Sequence, residues 1–280
     1  MRSFLISLTL CAFSFINLAQ ADAPKRILSI AGGNTEIIYA LGGENLLVGS
    51  DTTSYYPEAA AKLPKVGYMR ALSAEGVLSL DPDLIVLTEE AGPPPVIMQL
   101  KQAKVNILEV KAARSFDDIK ENISVIGKAI EKEAEADKLI EKMNQQSDQL
   151  QLAISQQDVK KSYMFIFQHG NGSPMVAGRD TSADSIIALA GGKNVATAYE
   201  GFKPLTPEAA INMQPDIILV TNRGLASAGG LDAFKTLPGI SLTNAAQQGN
   251  IIAMDVLFML GFGPRTVEAA TEIFKLQESM

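Results

Sequence analysis

The chain has 280 residues, 47% of them hydrophobic, and a formal net charge of -7. This acidic balance excludes a typical nucleic-acid-binding protein, which needs clustered lysine and arginine to contact phosphates. The sequence contains one cysteine and one histidine, so disulfides, thiolate metal sites and a Ser-His-Asp or Cys-His catalytic arrangement are hard to build. The length is sufficient for two ordinary domains.

The first 21 residues are typical of a secretory signal peptide. Arg2 supplies a positive charge, residues 4–16 are mostly apolar, and Ala19-Gln20-Ala21 has the small-x-small pattern of a cleavage site. The apolar stretch is shorter than the roughly 20 residues of a membrane-spanning helix. Leu10 before Cys11 argues against lipoprotein cleavage. We therefore expect an exported protein, cleaved near Ala21, whose mature chain lacks cysteine and does not insert into the membrane.

The following segment, residues 22–115, alternates predicted strands with predicted helices. Continuous apolar runs predict strands at 26–30, 46–50, 84–87 and 105–110, and such runs suit a parallel sheet that is covered on both faces. After the first strand comes Ala31-Gly32-Gly33-Asn34-Thr35-Glu36, which lacks both the dinucleotide fingerprint and the phosphate-loop lysine. We interpret it as a tight strand-to-helix turn with Asn34 or Thr35 as N-cap. Because it follows a strand, Gly33 and Asn34 are expected near a ligand cleft.

Residues 116–157 are predicted to form one long linker helix. The segment has no proline and a single glycine, and its apolar residues recur at helical spacing. A single stiff connection restricts hinge motion, so we expect small movements between an N-terminal α/β lobe at 22–115 and a C-terminal α/β lobe at 158–280.

The C-terminal lobe repeats the plan of the first. Strands are predicted at 162–167, 175–176, 217–220 and 251–254. Residues 73–88 align without a gap on residues 206–221, each copy giving an N-capped short helix, a Pro-Asp turn and a buried strand. A second pair, 37–43 and 186–192, predicts helices that end at glycine. The predicted fold is α/β, with two similar three-layer lobes that have mostly parallel central sheets and are joined by a single long interdomain helix.

Tyr68 is the leading candidate ligand-binding residue. It follows a Leu-Pro turn, precedes a capped helix and has Arg70 two residues later. A phenolate is a hard anionic oxygen donor that can bind ferric haem iron. Arg70 can stabilise that phenolate or pair with a propionate carboxylate. The alternative interpretations are an ordinary loop aromatic and a surface ion pair.

The second lobe offers further candidates after its strands. His169, the single histidine, follows the strand at 162–167 and precedes a glycine-rich turn. A lone loop histidine is often incidental, but its place opposite Tyr68 makes it a candidate second iron ligand. Asn222 and Arg223 follow the strand at 217–220, whereas Arg179 and Arg265 are weaker candidates.

Together these features resemble the periplasmic haemin-binding proteins of bacterial haem-uptake ABC transporters. The wider family is that of substrate-binding proteins whose two lobes are joined by one long helix. The resemblance to this wider family rests on the repeated Glu-x(6)-Pro-Asp units, the Gly-Gly-Asn-Thr-Glu segment and the central helix. The narrower one rests on Gly-Tyr-Met-Arg-Ala-Leu-Ser-Ala-Glu-Gly at residues 67–76, which looks like the haem-binding tyrosine loop of that group.

The resemblance implies a haem-transporting protein that is not an enzyme. Haem would be held as ferric haemin by the iron ligands Tyr68 and His169, in a pocket formed by Arg70, Met69, Arg223, Asn222, Gly33 and Asn34. Glu75 and Glu208 would dock onto an inner-membrane ABC permease dimer with its ATPase. The alternative role, helix-dipole capping, is compatible with docking because a carboxylate in the first turn of a helix is exposed. We expect a monomer. A binding protein for cobalamin or a ferric siderophore stays open as an alternative, as does an exported α/β enzyme, for which no catalytic group is found.

Overall fold

The structure is a computed structural model that describes residues 23–168 and 173–280. The predicted signal peptide at 1–21 and the candidate ligand His169 lie outside the described residues.

The first lobe is built on a parallel sheet with strand order β2-β1-β3-β4. Its third strand is buried along its whole length, as the continuous apolar run predicts. A short 3-10 turn at Glu44–Leu46 precedes the second strand. The elements in chain order are β1 (Ile27–Ser29), α1 (Gly32–Ala40), β2 (Leu47–Ser50), α2 (Glu58–Ala61), α3 (Ala74–Leu78), β3 (Leu84–Thr88), α4 (Pro94–Gln102), β4 (Asn106–Val110) and α5 (Phe116–Ala129).

The second lobe follows the long helix α6 (Glu133–Ser155) and contains a mixed sheet of order β10-β9-β5-β6-β8, with β7 paired to β5. β6 runs antiparallel to β5 and β8, while β5, β9 and β10 are parallel. A 3-10 turn lies at Ile240–Leu242. The elements are β5 (Ser162–Phe167), β6 (Met175–Ala177), α7 (Ser182–Leu189), β7 (Lys193–Asn194), β8 (Phe202–Pro204), α8 (Pro207–Met213), β9 (Ile217–Thr221), α9 (Asn222–Ser227), α10 (Leu231–Lys235), α11 (Asn244–Gln248), β10 (Ile251–Met254), α12 (Val256–Leu260) and α13 (Thr266–Gln277).

The predicted linker helix is interrupted, which corrects the expectation of one helix over 116–157. Glu131 adopts a φ of 56°, a left-handed conformation that ends the helical path between α5 and α6. The two helices then pack as an antiparallel hairpin. A Cβ on Gly127 would lie 2.7 Å from the Cβ of Ala136, and Lys120 donates to Asn144 Oδ1 at 3.1 Å. The single interdomain helix is therefore α6, whereas α5 packs onto the first lobe.

The internal repeat appears in the structure as two equivalent capped helices. Ser73 Oγ accepts the N–H of Gly76 at 3.0 Å at the start of α3, and Thr206 Oγ1 accepts the N–H of Ala209 at 3.2 Å at the start of α8. These hydrogen bonds satisfy backbone donors that a helix start leaves unpaired. The cap predictions at both positions are confirmed, as is the fold class of two α/β lobes with one interdomain helix.

A shared hydrophobic core holds the lobes to α6. One cluster of buried side chains includes Ile37 of α1, Ile123 of α5, Met143 of α6, Ile186 of α7 and Ile273 of α13. The opposite face of each sheet has a cluster of its own. None of the helices in the described ranges is long and apolar enough to cross a membrane.

The lobes also touch through the loops at the carboxyl ends of their strands. Tyr55, after β2, donates its hydroxyl to Asp255 Oδ2 at 2.9 Å and accepts the N–H of Leu257 at 3.0 Å. Glu36 of α1 receives two hydrogen bonds of 2.7 Å from Arg265. These contacts join the two lobes through segments that follow their strands.

Candidate ligand-binding site

Tyr68 lies on a loop that backbone hydrogen bonds hold rigid. The N–H of Ala71 donates to the carbonyl of Tyr68 at 2.8 Å and closes a tight turn. Gly67 has a φ of 100°, which a residue with a side chain rarely adopts. Gly92, after β3, donates to the carbonyl of Met69 and accepts the N–H of Leu72, both at 2.9 Å. The loop is thus fixed to the carboxyl edge of the first sheet, with the Tyr68 side chain 44% exposed.

A chain of charged side chains extends from the hydroxyl of Tyr68. Arg70 Nη1 donates to Tyr68 Oη at 3.1 Å. The other terminal nitrogen of Arg70 forms an ion pair with Glu90 Oε2, and Glu90 Oε1 pairs with Arg114. Burial lowers the pKa of Arg70, but the hydrogen bond to Tyr68 and the charge of Glu90 outweigh it and raise that pKa overall. The two arginines and Glu90 carry one net positive charge beside the phenol.

No sequence motif singles out Glu90 and Arg114, which the fold brings to Tyr68 and Arg70. Glu90 follows β3 and Arg114 follows β4. The available signal was their position after two predicted strands, since neighbouring parallel strands end at the same edge of a sheet.

Met69 lies in the first-lobe core and not in the ligand pocket where it was predicted. Its side chain is 9% exposed and packs in the first-lobe core with Leu72 and Val77. It supports the tyrosine loop from beneath, so a pocket contact for its side chain is not supported.

Gly33 and Asn34 are buried and do not line a ligand pocket, contrary to the prediction from sequence. A Cβ on Gly33 would lie 2.3 Å from the carbonyl oxygen of Gly261 in the second lobe. Asn34 is 5% exposed and donates to the carbonyl of Ile30 at 2.9 Å. The prediction of Asn34 or Thr35 as N-cap is wrong, because α1 begins at Gly32 and its N-cap is Ala31, with a φ of 81°. This segment joins the lobes instead of facing a ligand.

Asn222 and Arg223 occupy the carboxyl edge of the second sheet. Both are exposed at the start of α9, where Thr221 Oγ1 caps the helix by accepting the N–H of Gly224 at 2.9 Å. A Cβ on Gly224 would lie 3.5 Å from the carbonyl of Gln168. Arg223 is therefore next to the segment that leads to His169.

The two weaker arginine candidates lie elsewhere. Arg179 follows β6, and because β6 is antiparallel to β5 this residue is at the opposite edge of the sheet. Arg265 is bound to Glu36, and its guanidinium lies 3.5 Å from the centre of the Tyr56 ring. Neither side chain belongs to the cleft edge that carries Arg223.

Glu75 and Glu208 have equivalent positions in the two lobes. Each lies in the first turn of its capped helix and is exposed. Across the described ranges, neither carboxylate forms an ion pair. Both charges are available to a partner.

Two concave regions of the described structure lie away from Tyr68, Arg70 and Arg223, and Arg265 is the one candidate residue that lines either of them. A depression of about 580 Å³ on the second lobe is lined by Asn194, Tyr199 and Met213, among others. One of about 390 Å³ beside α6 is lined by residues such as Tyr39, Met143 and Arg265. Among the residues with described positions, no group of three or more His, Cys, Asp or Glu side chains is placed to hold a metal ion.

Comparison with known proteins agrees with this arrangement. The periplasmic heme-binding protein RhuT from Roseiflexus sp. RS-1, in apo form, is 38% identical, with a TM-score of 0.86 over 90% of this chain and 97% of that one. The periplasmic heme-binding protein BhuT in complex with two hemes is 35% identical, with a TM-score of 0.87 over 91% and 98% of the two chains. The resemblance to periplasmic haem-binding proteins is thereby confirmed.

Curated relatives are more varied in their ligands. The uncharacterized ABC transporter substrate-binding lipoprotein YvrC of Bacillus subtilis is 32% identical over 89% of this chain and 79% of its own length. A vitamin B12-binding protein of Vibrio cholerae is 24% identical over 96% of this chain and 95% of its own. Both relatives are named as binding proteins and not as enzymes, and the lipoprotein YvrC together with the matching family indicates a location outside the cytoplasm. The sequence model described as "Periplasmic binding protein" matches residues 27–256, and the chain therefore belongs to that family of ABC-transporter substrate-binding proteins.

Proposed function

We propose that this protein captures haem, as ferric haemin, in the periplasmic cleft between its lobes and delivers it to an inner-membrane ABC permease. The observation that carries the proposal is the exposed Tyr68 phenol with the Arg70 guanidinium 3.1 Å from its oxygen. Ferric iron prefers a hard anionic oxygen ligand. A cation that donates to that oxygen stabilises its negative charge.

The surrounding charge suits the carboxylates of haem. Since the whole chain has a net charge of -7, propionates need local cations. Arg70 and Arg223 supply one cation at each lobe's carboxyl edge, and we assign the propionates to this pair. Asn222 beside Arg223 adds an amide that can donate to the same carboxylates.

His169 is proposed as a second iron ligand contributed by the C-terminal lobe. The residue before it, Gln168, has its carbonyl beside the start of α9, at the sheet edge that carries Arg223. An imidazole from this lobe and a phenolate from the other would approach a flat porphyrin from opposite faces. We expect His169→Ala to keep haemin bound with an altered visible spectrum, and an unchanged spectrum would make His169 incidental.

The comparisons support haem over cobalamin. Two haem-binding structures are 38% and 35% identical to this chain, whereas the vitamin B12-binding relative is 24% identical. That relative keeps cobalamin as the second candidate.

The proposal is tested by titrating the purified protein with haemin and, separately, with cobalamin. Wild type is expected to give a haemin complex with a tyrosinate-to-iron charge-transfer band, and Tyr68→Phe is expected to lose that band. Tyr56→Phe is the matched control because Tyr56 is also 44% exposed and undergoes the same change. Saturable binding of cobalamin without haemin binding, or a band that survives in Tyr68→Phe, would overturn the proposal.

A further inference from the structure

We infer that Glu90 is a positioning residue that holds Arg70 on the Tyr68 oxygen, with Arg114 anchoring Glu90 from the far side. The inference rests on the proposed function, since it assigns a task to side chains around the proposed iron ligand. It is carried by the Glu90 carboxylate, which forms ion pairs with arginines from two other loops, Arg70 and Arg114.

The carboxylate of Glu90 divides its two oxygens between two arginines. Oε2 accepts from Arg70 Nη2 and Oε1 accepts from Arg114 Nη2. Arg70 in turn divides its two terminal nitrogens, giving Nη1 to Tyr68 and Nη2 to Glu90. A guanidinium is a rigid planar fork, so fixing Nη2 on Glu90 also fixes where Nη1 points.

Arg114, the last side chain of this charged series, is anchored in the backbone of the first lobe. Arg114 Nη1 donates to the carbonyl of Ala113, and the backbone N–H of Arg114 donates to Asp118 Oδ2, both at 3.0 Å. Asp118 is part of the capped start of α5. Glu90 is therefore paired with an arginine whose guanidinium and backbone N–H both have hydrogen-bond partners in the first lobe.

Without Glu90 the arginine would have little to hold it. The Arg70 side chain is 53% exposed, and a long exposed side chain with one neutral partner has many rotamers open to it. Tyr68 alone offers a single oxygen at 3.1 Å. The ion pair with Glu90 thus converts a mobile cation into one that stays on the phenol.

The variant Glu90→Gln distinguishes a positioning role for Glu90 from a purely electrostatic one, because the two roles predict opposite effects on the phenolate. Glu90→Gln removes a negative charge near Tyr68, so by charge alone it makes the surroundings of the phenolate more positive. If Glu90 positions Arg70, the same change releases the guanidinium and leaves the phenolate less stabilised. A less stabilised phenolate gives up its electron to iron more easily, which moves the charge-transfer band to longer wavelength.

The experiment measures the charge-transfer band and the haemin affinity of Glu90→Gln, with Arg70→Ala as reference. We expect the band of Glu90→Gln to move to longer wavelength, in the direction of Arg70→Ala, with affinity about twofold to fivefold weaker. Glu89→Gln is the matched control, because it removes the same charge one residue away, where Glu89 accepts the N–H of Ala112. Arg114→Gln should also move the band to longer wavelength. A shift of Glu90→Gln to shorter wavelength, or an unmoved band in both variants, would overturn the inference.

A second measurement separates this inference from the proposed function. A crystal structure of ligand-free Glu90→Gln should show the Arg70 guanidinium away from the Tyr68 hydroxyl. Arg70 still bonded to Tyr68 in that structure would overturn the positioning role even if haemin binds. If wild type fails to bind haemin, the proposed function fails, and the ligand-free structure alone decides whether Glu90 positions Arg70.

Discussion

Arg70 and Arg223 differ in the existing contacts that each must break to bind a ligand carboxylate. Arg70 is already shared between Tyr68 and Glu90, so a propionate would have to compete with an existing partner. Arg223 is exposed and, among the described residues, forms no ion pair. Arg223 can therefore turn toward an incoming carboxylate without breaking a contact.

We predict that Arg223→Ala weakens haemin binding about twofold to fivefold while the charge-transfer band stays in place, because an exposed charge pair is worth little in water. Arg70→Ala should weaken binding to a similar degree and also move the band, since Arg70 contacts the ligand oxygen. Haemin titration of each variant measures both effects. Arg179→Ala is the control, as this arginine is at the opposite sheet edge. Affinity equal to wild type in both variants would place the propionates elsewhere.

At the scale of elements, the start of α5 supports the site from a distance. Ser115 Oγ accepts the N–H of Asp118 at 3.1 Å, and Asp118 Oδ2 accepts from Ser115 Oγ at 2.8 Å and from the N–H of Arg114 at 3.0 Å. The hydrogen bond from Arg114 is the largest cause of the lowered pKa of Asp118. The cap therefore fixes both the helix and the loop that carries Arg114.

We predict that Asp118→Asn destabilises the protein by about 1 kcal/mol at pH 7. A carboxyl group whose pKa is lowered on folding stabilises the folded state above its unfolded pKa, and this contribution is lost as the pH falls through the folded pKa. The difference from wild type should therefore be largest at neutral pH and should shrink as the pH falls below the ordinary carboxyl pKa of 3.8 and through the lowered folded pKa, as measured by urea unfolding at several pH values. Asp117→Asn, one residue earlier and 88% exposed, is the control and should stay within a few tenths of a kcal/mol. A deficit that is the same at neutral pH and at the lowest pH at which wild type stays folded would contradict the assignment.

The strands were predictable from sequence because buried parallel strands are continuous apolar runs. The predictions at 162–167 and 251–254 agree with β5 and β10 at both ends, and 84–87 is one residue shorter than β3. The helix caps at Ser73 and Thr206 were predictable because capping is a local interaction. The break at Glu131 was not, since no glycine or proline marks it and the hairpin depends on the close contact of Gly127 with Ala136.

In the candidate site too, contacts between residues close in sequence could be predicted, whereas contacts that depend on the fold could not. Tyr68 and Arg70 are two residues apart, so their pairing could be anticipated from local sequence. Glu90 and Arg114 reach them only because the sheet order sets β3 beside β4 and because Gly92 binds the tyrosine loop. Gly33 and Asn34 look like ligand-loop residues until the second lobe is present, and it is Gly261 of that lobe that covers Gly33.

On the scale of the whole molecule, the contact between Glu36 and Arg265 holds the lobes in one arrangement. Glu36 is 5% exposed, and burial raises the pKa of its carboxyl group against the opposing effect of Arg265. Arg265 also lies over the ring of Tyr56. With α6, this contact favours the small lobe movements expected from a single stiff connection.

We predict that Arg265→Ala costs about 3 kcal/mol at pH 7, because it leaves the Glu36 carboxylate buried and unpaired. Without Arg265 the pKa of Glu36 rises further, so the folded variant binds a proton more tightly than the unfolded chain. Its deficit should therefore shrink as the pH falls from 7 toward about 5. Denaturant unfolding across that range measures the change. Lys62→Ala breaks an exposed pair with Glu58 and should cost less than about 0.5 kcal/mol. Equal costs for the two variants would show that the interlobe pair adds no stability.

The two glutamates of the repeat suggest how the whole molecule meets its transporter. We propose that Glu75 and Glu208 contact basic pockets on the two permease subunits, because they are exposed, unpaired within the described ranges and equivalent in the two lobes. A partner with two-fold symmetry would present such pockets in pairs. Since neither carboxylate lies among the side chains around Tyr68, docking and haem binding should be separable.

Replacing both glutamates with lysine tests this separation. We predict that the double variant binds haemin with wild-type affinity but that transport by the reconstituted permease falls at least about tenfold, since lysine adds repulsion as well as removing attraction. Lysine at the exposed Glu58 and Glu133 gives the same charge change elsewhere on the surface and is the control. Haem titration of the free protein and haem uptake into proteoliposomes are measured in parallel. Normal transport by the Glu75→Lys, Glu208→Lys protein, or loss of haemin affinity in step with transport, would leave these glutamates as helix-terminal charges whose role is confined to α3 and α8.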